Sequence, residues 1–339
     1  MVTPLGFNAP ASLAAIRAGI SAVRATPWAD PETGEPLSGT RVSLPQWFPG
    51  LGKLADLAAP AIQECLLAAD PEPQQEIPLL LGVAAESRAG RPLGLDDELL
   101  DEIQARLELP RHRYSRLYPE DQFGCAKALA DATALVERKL ARRVVVAGVD
   151  SYLHGDTLED YVQRRRLMTA NNSNGFFPGE AAAAVLVGLS GSGAGVELQV
   201  LGVGFGLESA TIDGTEPFQG RGMTDAVRIA LDQAGLSLSD VAYRLTDISG
   251  EHYKFKEALF VAGRLDTGER KAALELWHPI EYLGEIGAAI LPCLLAQAMH
   301  AAQEGYAPGP LAICHVGADA GARAALVVGL RRTMATGST

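Results

Sequence analysis

Two stretches far apart in this chain are written to one pattern. GEAAAAVLVG at 179–188 and GARAALVVGL at 321–330 each set a glycine ahead of a run of small and β-branched residues. Such a run, short and continuously apolar, is the mark of a strand buried on both faces. Helical and strand spacing alternate ahead of each copy. In the first part, helical spacing from Leu54 to Ala69 precedes the strand IPLLLGVA (77–84). A helix expected over 95–109 follows, with acids near its start. In the second part the order is a helix at 222–235, a strand near 241–249, a helix around 255–264, an apolar helix at 284–303 and a strand at 311–316. Alternation of this kind implies βαβ units in layered α/β sheets, and the echo between the parts suggests a duplicated half. The cut falls near Gly191–Gly195. The expected domains are therefore 1–190 and 195–332, with 333–339 as a flexible tail. Residues 29–50, rich in Pro and Gly, and the Arg-rich segment 154–173 read as surface excursions.

A formal net charge of −12 argues against a general nucleic-acid or membrane-surface binder. With 47% hydrophobic residues the chain can fill a sizeable core, and no apolar run is long enough to span a bilayer. The cysteines Cys65, Cys125, Cys293 and Cys314 form no CxxC pair and no Cys/His cluster at zinc spacing, so neither a metal nor another cofactor is expected. Free thiols and the lack of a leader pattern point to the cytoplasm. Gly202-Val203-Gly204 has no convincing helix behind it, which speaks against a dinucleotide site.

Cys125 sits in FGCA at the head of a helical run whose Leu129, Ala132, Leu135, Val136 and Leu140 share one face, and VVVAGVDS (144–151) follows as a buried strand. A thiol at a helix start lies near unpaired N–H groups and the positive end of the dipole, which favour a thiolate. The alternative is an inert core thiol.

Several segments carry a resemblance to the thiolase-like fold, and within it to the β-ketoacyl synthases. They are VTPLG with AIRAGIS, the stretch from Cys125 through VVVAGVDS, NGFFPGEAAAAVLVG, and GEIGAAILPCLLAQAMHAAQEG with HVGADAGARAALVVGL. NGFFPGEAAAAVLVG is the most specific of these. The resemblance implies two duplicated βαβ-rich halves in an α/β/α/β/α layering. It also implies an acyl-accepting cysteine, two histidines for decarboxylation and condensation, and oxyanion donors from the nucleophile turn and the closing Gly-rich loop.

Carried over residue by residue, the nucleophile falls on Cys125 and the first histidine on or beside Glu251, with His252 next door. The second falls on Glu285 after Gly284, where the family has Gly-His. His278 and the loop glycines Gly317 and Gly321 are the implied substrate-binding positions, and Glu180 holds the turn of its motif. The Arg164–Arg166 run reads as a solvated loop or as a contact for an acidic carrier protein.

Two functions follow from the resemblance. One is an acyltransferase or condensing enzyme that takes acyl thioesters of acyl carrier protein or coenzyme A through Cys125, in fatty-acid, polyketide or secondary-metabolite biosynthesis. The other is a silent, chain-length-factor-like subunit paired with an active ketosynthase. Either version implies a homodimer or heterodimer, expected to pair through residues 144–151.

Overall fold

The computed structural model describes residues 1–45, 48–69, 72–191, 196–270 and 272–332. The expected tail at 333–339 lies outside the described residues, as do 192–195 of the expected cut. In chain order the elements are α1 (Ala9–Arg17), β1 (Arg24–Ala29), β2 (Pro36–Gly39), α2 (Leu51–Ala68), β3 (Leu79–Gly82), α3 (Leu95–Leu107), β4 (Arg116–Tyr118), α4 (Asp121–Glu137), β5 (Arg143–Ser151), α5 (Gly155–Gln163) and β6 (Glu180–Gly188). They continue with β7 (Val196–Leu207), α6 (Arg221–Ala234), β8 (Tyr243–Thr246), α7 (His252–Leu265), β9 (Glu275–Trp277), α8 (Ile280–Leu283), α9 (Ile290–Gln303), β10 (Leu311–Gly317) and β11 (Ala322–Arg332). None of the described helices is long and apolar enough to cross a membrane.

The chain divides into two units. Unit one holds residues 1–187 and takes in 248–252 and 279–293 from the second half; unit two holds 188–247, 253–278 and the rest. Unit one is built on a sheet of order β4-β3-β5-β6, in which β3 runs parallel to both β4 and β5. Leu79 and Leu81 of β3, with Val145 and Val149 of β5, meet Leu57 and Ile62 of α2 and Leu99 and Ile103 of α3 in one core. The alternate residues Gly82 and Gly148 face α4. With both faces covered, the strands read as unbroken apolar runs.

Unit two has a sheet of order β7-β11-β10-β8-β9, matching the first sheet strand for strand from the fifth inward. In unit one the counterpart of β7 is reduced to a single bridge between Val2 and Ala182. Gly202, Gly204 and Gly206 line the face of β7 toward α6. A Cβ on them would stand 2.1, 1.9 and 2.1 Å from the carbonyl oxygens of Ala230, Ala226 and Gly222. These glycines let the helix backbone lie on the strand.

Four expectations are corrected. β5 has a neighbour on each side, so residues 144–151 cannot pair across a two-fold axis; among the described residues the free edge at that end of the sheet is β4. The segment 29–50 contributes β2, which pairs antiparallel with β1, and 154–173 contains the nine-residue helix α5. The helix expected from 284 begins only at Ile290, because Gly284 and Gly287 take φ of 69° and 50° and a 3-10 turn, Gly287–Ala289, comes first.

Candidate active site

Cys125 is the fifth residue of α4, not its first, because the helix begins at Asp121. Its thiol is fully buried, and Sγ donates to the carbonyl oxygens of Ala288 at 3.1 Å and Ala147 at 3.3 Å. A Cβ at Gly82 or Gly148 would come within 2.5 or 2.9 Å of Sγ, so both strands close on it without side chains. Burial pushes the thiol up to about 12, against a smaller opposing contribution from the Gly82 backbone hydrogen bond. Cys65, Cys293 and Cys314 are likewise pushed up to about 12 by burial, so nothing singles Cys125 out as a thiolate. The same packing makes Gly148 sensitive. A Cβ there would stand 2.0 Å from the Ala288 oxygen, and Gly148→Ala is expected to lose about 1–3 kcal/mol in urea unfolding. Parent-like stability would show that the Ala288 turn yields freely.

The residue at the strand-to-helix turn is Asp121. It follows β4 closely and adopts φ 51°, a left-handed conformation rare outside glycine. A strained turn from strand into helix is how many folds present a catalytic group, and such strain gathers at functional sites. Here the presented group is a carboxylate, and it is tied down. Asp121 Oδ1 accepts from the Ala85 amide at 2.8 Å and from Arg88 Nη2, while its own amide donates to Val83 O at 3.1 Å.

Arg88 organises the surroundings. Its Nη1 donates to Asp150 Oδ1 at 2.6 Å and its Nη2 also reaches the Tyr152 hydroxyl at 3.1 Å. Asp150 Oδ2 accepts from the Ala288 amide at 3.0 Å. Gln122 Nε2 donates to Glu285 Oε1 at 3.2 Å, and the Gly287 amide donates to the same oxygen at 2.9 Å. Burial works against the Arg88 charge, but Asp121 and Asp150 more than offset it and hold the guanidinium protonated more firmly than usual. Burial raises the Asp150 carboxyl, with Arg88 opposing. Glu285 and Cys125 thus do reach the same corner, through Gln122 and Ala288, but it is a closed polar lattice. Unit one has a cleft beside Arg88, Lys53 and His154 and another beside Leu37, Met168 and Phe177. Neither is lined by Cys125, Glu251 or Glu285.

The remaining candidates have partners of their own. Glu251 is buried and takes a two-pronged pair from Arg166, with Nε to Oε1 at 2.7 Å and Nη2 to Oε2 at 2.9 Å. The Arg run is therefore split: Arg166 is inside, Arg164 pairs with Asp160, and Arg165 is exposed. His252 is exposed at the head of α7, its amide donating to Asn174 Oδ1 at 2.8 Å. Glu180 is fully buried, paired with Lys53 Nζ at 2.6 Å and accepting from the Val42 amide and the Ser151 hydroxyl.

Unit two holds the others. His278 is half-buried, edge-on to Phe255 at 6.0 Å. Gly317 donates its amide to Asp247 Oδ2 at 2.9 Å, and Gly321 turns with φ 101° between β10 and β11. Sequence reasoning passed over Arg88, Asp121, Asp150 and Tyr152. The available signal was Asp121 itself, an acid in YPEDQFG at the point where extended chain turns into helix.

Comparison with solved structures decides the fold. A β-ketoacyl synthase from Burkholderia phymatum STM815 superposes with a TM-score of 0.72 at 16% identity, over 98% of this chain and 97% of its own. The fold is that of the ketosynthases. A chain of a ketosynthase in complex with its chain length factor from Xenorhabdus doucetiae gives 0.68 at 14% identity, over 97% of this chain and 96% of that one. A type II polyketide ketosynthase complex with its acyl carrier protein gives 0.74 at 13% identity, over 97% and 96%. No family model matches the sequence, and no curated protein does. On this thiolase-like, ketosynthase fold the chain carries Asp121 at the strained turn.

Proposed function

We propose that this chain is a catalytically silent, ketosynthase-like subunit that pairs with an active ketosynthase, as the chain length factor of the Xenorhabdus doucetiae complex is paired with its ketosynthase. The observation that carries the reading is the fate of the nucleophile. The one thiol on the helix is sealed between Gly82, Gly148 and Ala288, and the strained turn presents the Asp121 carboxylate clamped by Arg88. A carboxylate held by two donors neither attacks a thioester as a thiolate does nor donates the hydrogen bond that decarboxylation uses. The free β4 edge of the unit-one sheet supports pairing along residues 116–118. The pathway would be polyketide or fatty-acid assembly, in the cytoplasm, with an acyl carrier protein as the donor met by the pair.

The test is acyl loading. The parent and Cys125→Ala are incubated with acyl-coenzyme A and with acyl carrier protein, and intact mass is measured. No adduct is expected on either, and Cys125 should alkylate no faster than Cys293 or Cys314 in the folded state. An acyl adduct on the parent that Cys125→Ala abolishes would overturn the silent reading and restore the acyltransferase. Co-expression with a ketosynthase supplies the positive arm: native mass spectrometry should give a one-to-one complex. Hydrogen exchange in that complex should slow at residues 116–118.

A further inference from the structure

Unit two contains a histidine in an unusual setting. His315 lies on β10 between Thr246 of β8 and Ala325 of β11, is 3% exposed, and neither ring nitrogen has a hydrogen-bond partner among the described residues. A buried polar ring without partners is costly as it stands and far more costly once charged. The charged groups that act on it are Arg244 on β8, Asp247 just beyond β8, and Lys254 on α7. Two are cations. The only anion among them, Asp247, is already employed: its Oδ2 accepts from Lys254 Nζ at 2.8 Å and from the Gly317 amide at 2.9 Å. That carboxylate ties the first turn of α7 to the residue where β10 enters its closing turn. Arg323 holds the far side of the turn, donating to Ala318 O at 2.8 Å and to Glu257 Oε1 at 2.7 Å.

We propose that His315 is an acid-sensitive latch on the 318–321 turn: on taking a proton from solvent it draws Asp247 away from Gly317 and Lys254, and the turn and the start of α7 are released together. No heavy-atom bond changes; one ring nitrogen gains a proton and Asp247 exchanges partners. Burial, helped by Arg244, lowers the ring from 6.5 to about 4. With the folded value below the unfolded one, the closed form is fully favoured above pH 6.5 and loses ground as pH falls toward 4.

Hydrogen exchange of the full-length chain, corrected for intrinsic rates, tests this at neutral pH and at about pH 5. Opening that frees His315 should become about twentyfold more frequent at the lower pH. The gain should be confined to peptides covering 317–321 and 252–258. Protection unchanged in those peptides, or lost evenly across unit two, overturns the proposal. His315→Gln should remove the pH response; a variant that keeps it overturns the proposal equally. Should that variant fail to fold, the pattern in the parent protein decides alone.

Discussion

Glu180→Ala is expected to destabilise unit one by about 3–5 kcal/mol, the range for removing one partner of a buried ion pair. Glu180 is fully buried and Lys53 is 2% exposed, so truncation strands an ammonium in the core with no water to solvate it. It also orphans the Val42 amide and the Ser151 hydroxyl, each of which donates to this carboxylate. The pair itself is not intrinsically stabilising, since removing both charges from water costs much of what their attraction returns. Glu180→Leu combined with Lys53→Met should therefore recover the part of the loss that comes from the stranded ammonium, while the Val42 amide and the Ser151 hydroxyl stay without their acceptor. Denaturant-dependent hydrogen exchange read on unit-one amides keeps the two units apart. A single variant within about 0.5 kcal/mol of the parent would mean that Lys53 escapes to solvent and the pair is not buried in solution.

Arg88→Met is the second large effect, and its size depends on pH. At neutral pH the variant leaves Asp121 and Asp150 close together with no cation, and a loss of about 3–5 kcal/mol is expected. Burial already raises Asp150 above the ordinary carboxylate value while Arg88 pulls it down, so removing Arg88 raises it further. A carboxyl whose folded pKa lies above its unfolded one binds protons preferentially in the folded state. Its contribution therefore favours folding at low pH and is lost as pH rises through the folded value. The deficit of the variant should shrink from neutral pH to about pH 5 in paired urea titrations. A deficit that is flat or grows on acidification would show that Arg88 does not neutralise these acids. The substitution also bears on the silent reading, because Arg88 is what clamps the strained Asp121 turn.

Much of the architecture was legible in the chain, and for a physical reason. Strands covered on both faces need unbroken apolar runs, so β3, β5, β6 and β10 announce themselves in IPLLLGVA, VVVAGVDS, GEAAAAVLVG and LAICHV. The helices α2, α3, α6 and α7 follow from 3.6-residue spacing, each within a few residues of its expected bounds. Glycine at alternate positions of β7 was visible as a pattern. Its purpose, seating the α6 backbone, appears only when the helix is laid on the strand.

The site was far less legible, because its chemistry depends on depth and on partners distant in sequence. Nothing in FGCA distinguishes a thiol at a helix start from one a turn further in. The helix begins at Asp121 because that residue accepts a left-handed turn and its carboxylate is held by Ala85 and Arg88. The resemblance carried the histidine positions on or beside Glu251 and to Glu285, yet the partners of each carboxylate, Arg166 and Gln122, lie 85 and 163 residues away along the chain. By itself the sequence determined the α/β class and the internal echo, since these rest on local periodicity and composition. The burial of Cys125, the lattice around Arg88 and the free edge at β4 were decided only by tertiary structure, because burial and pairing are properties of neighbours brought together by folding.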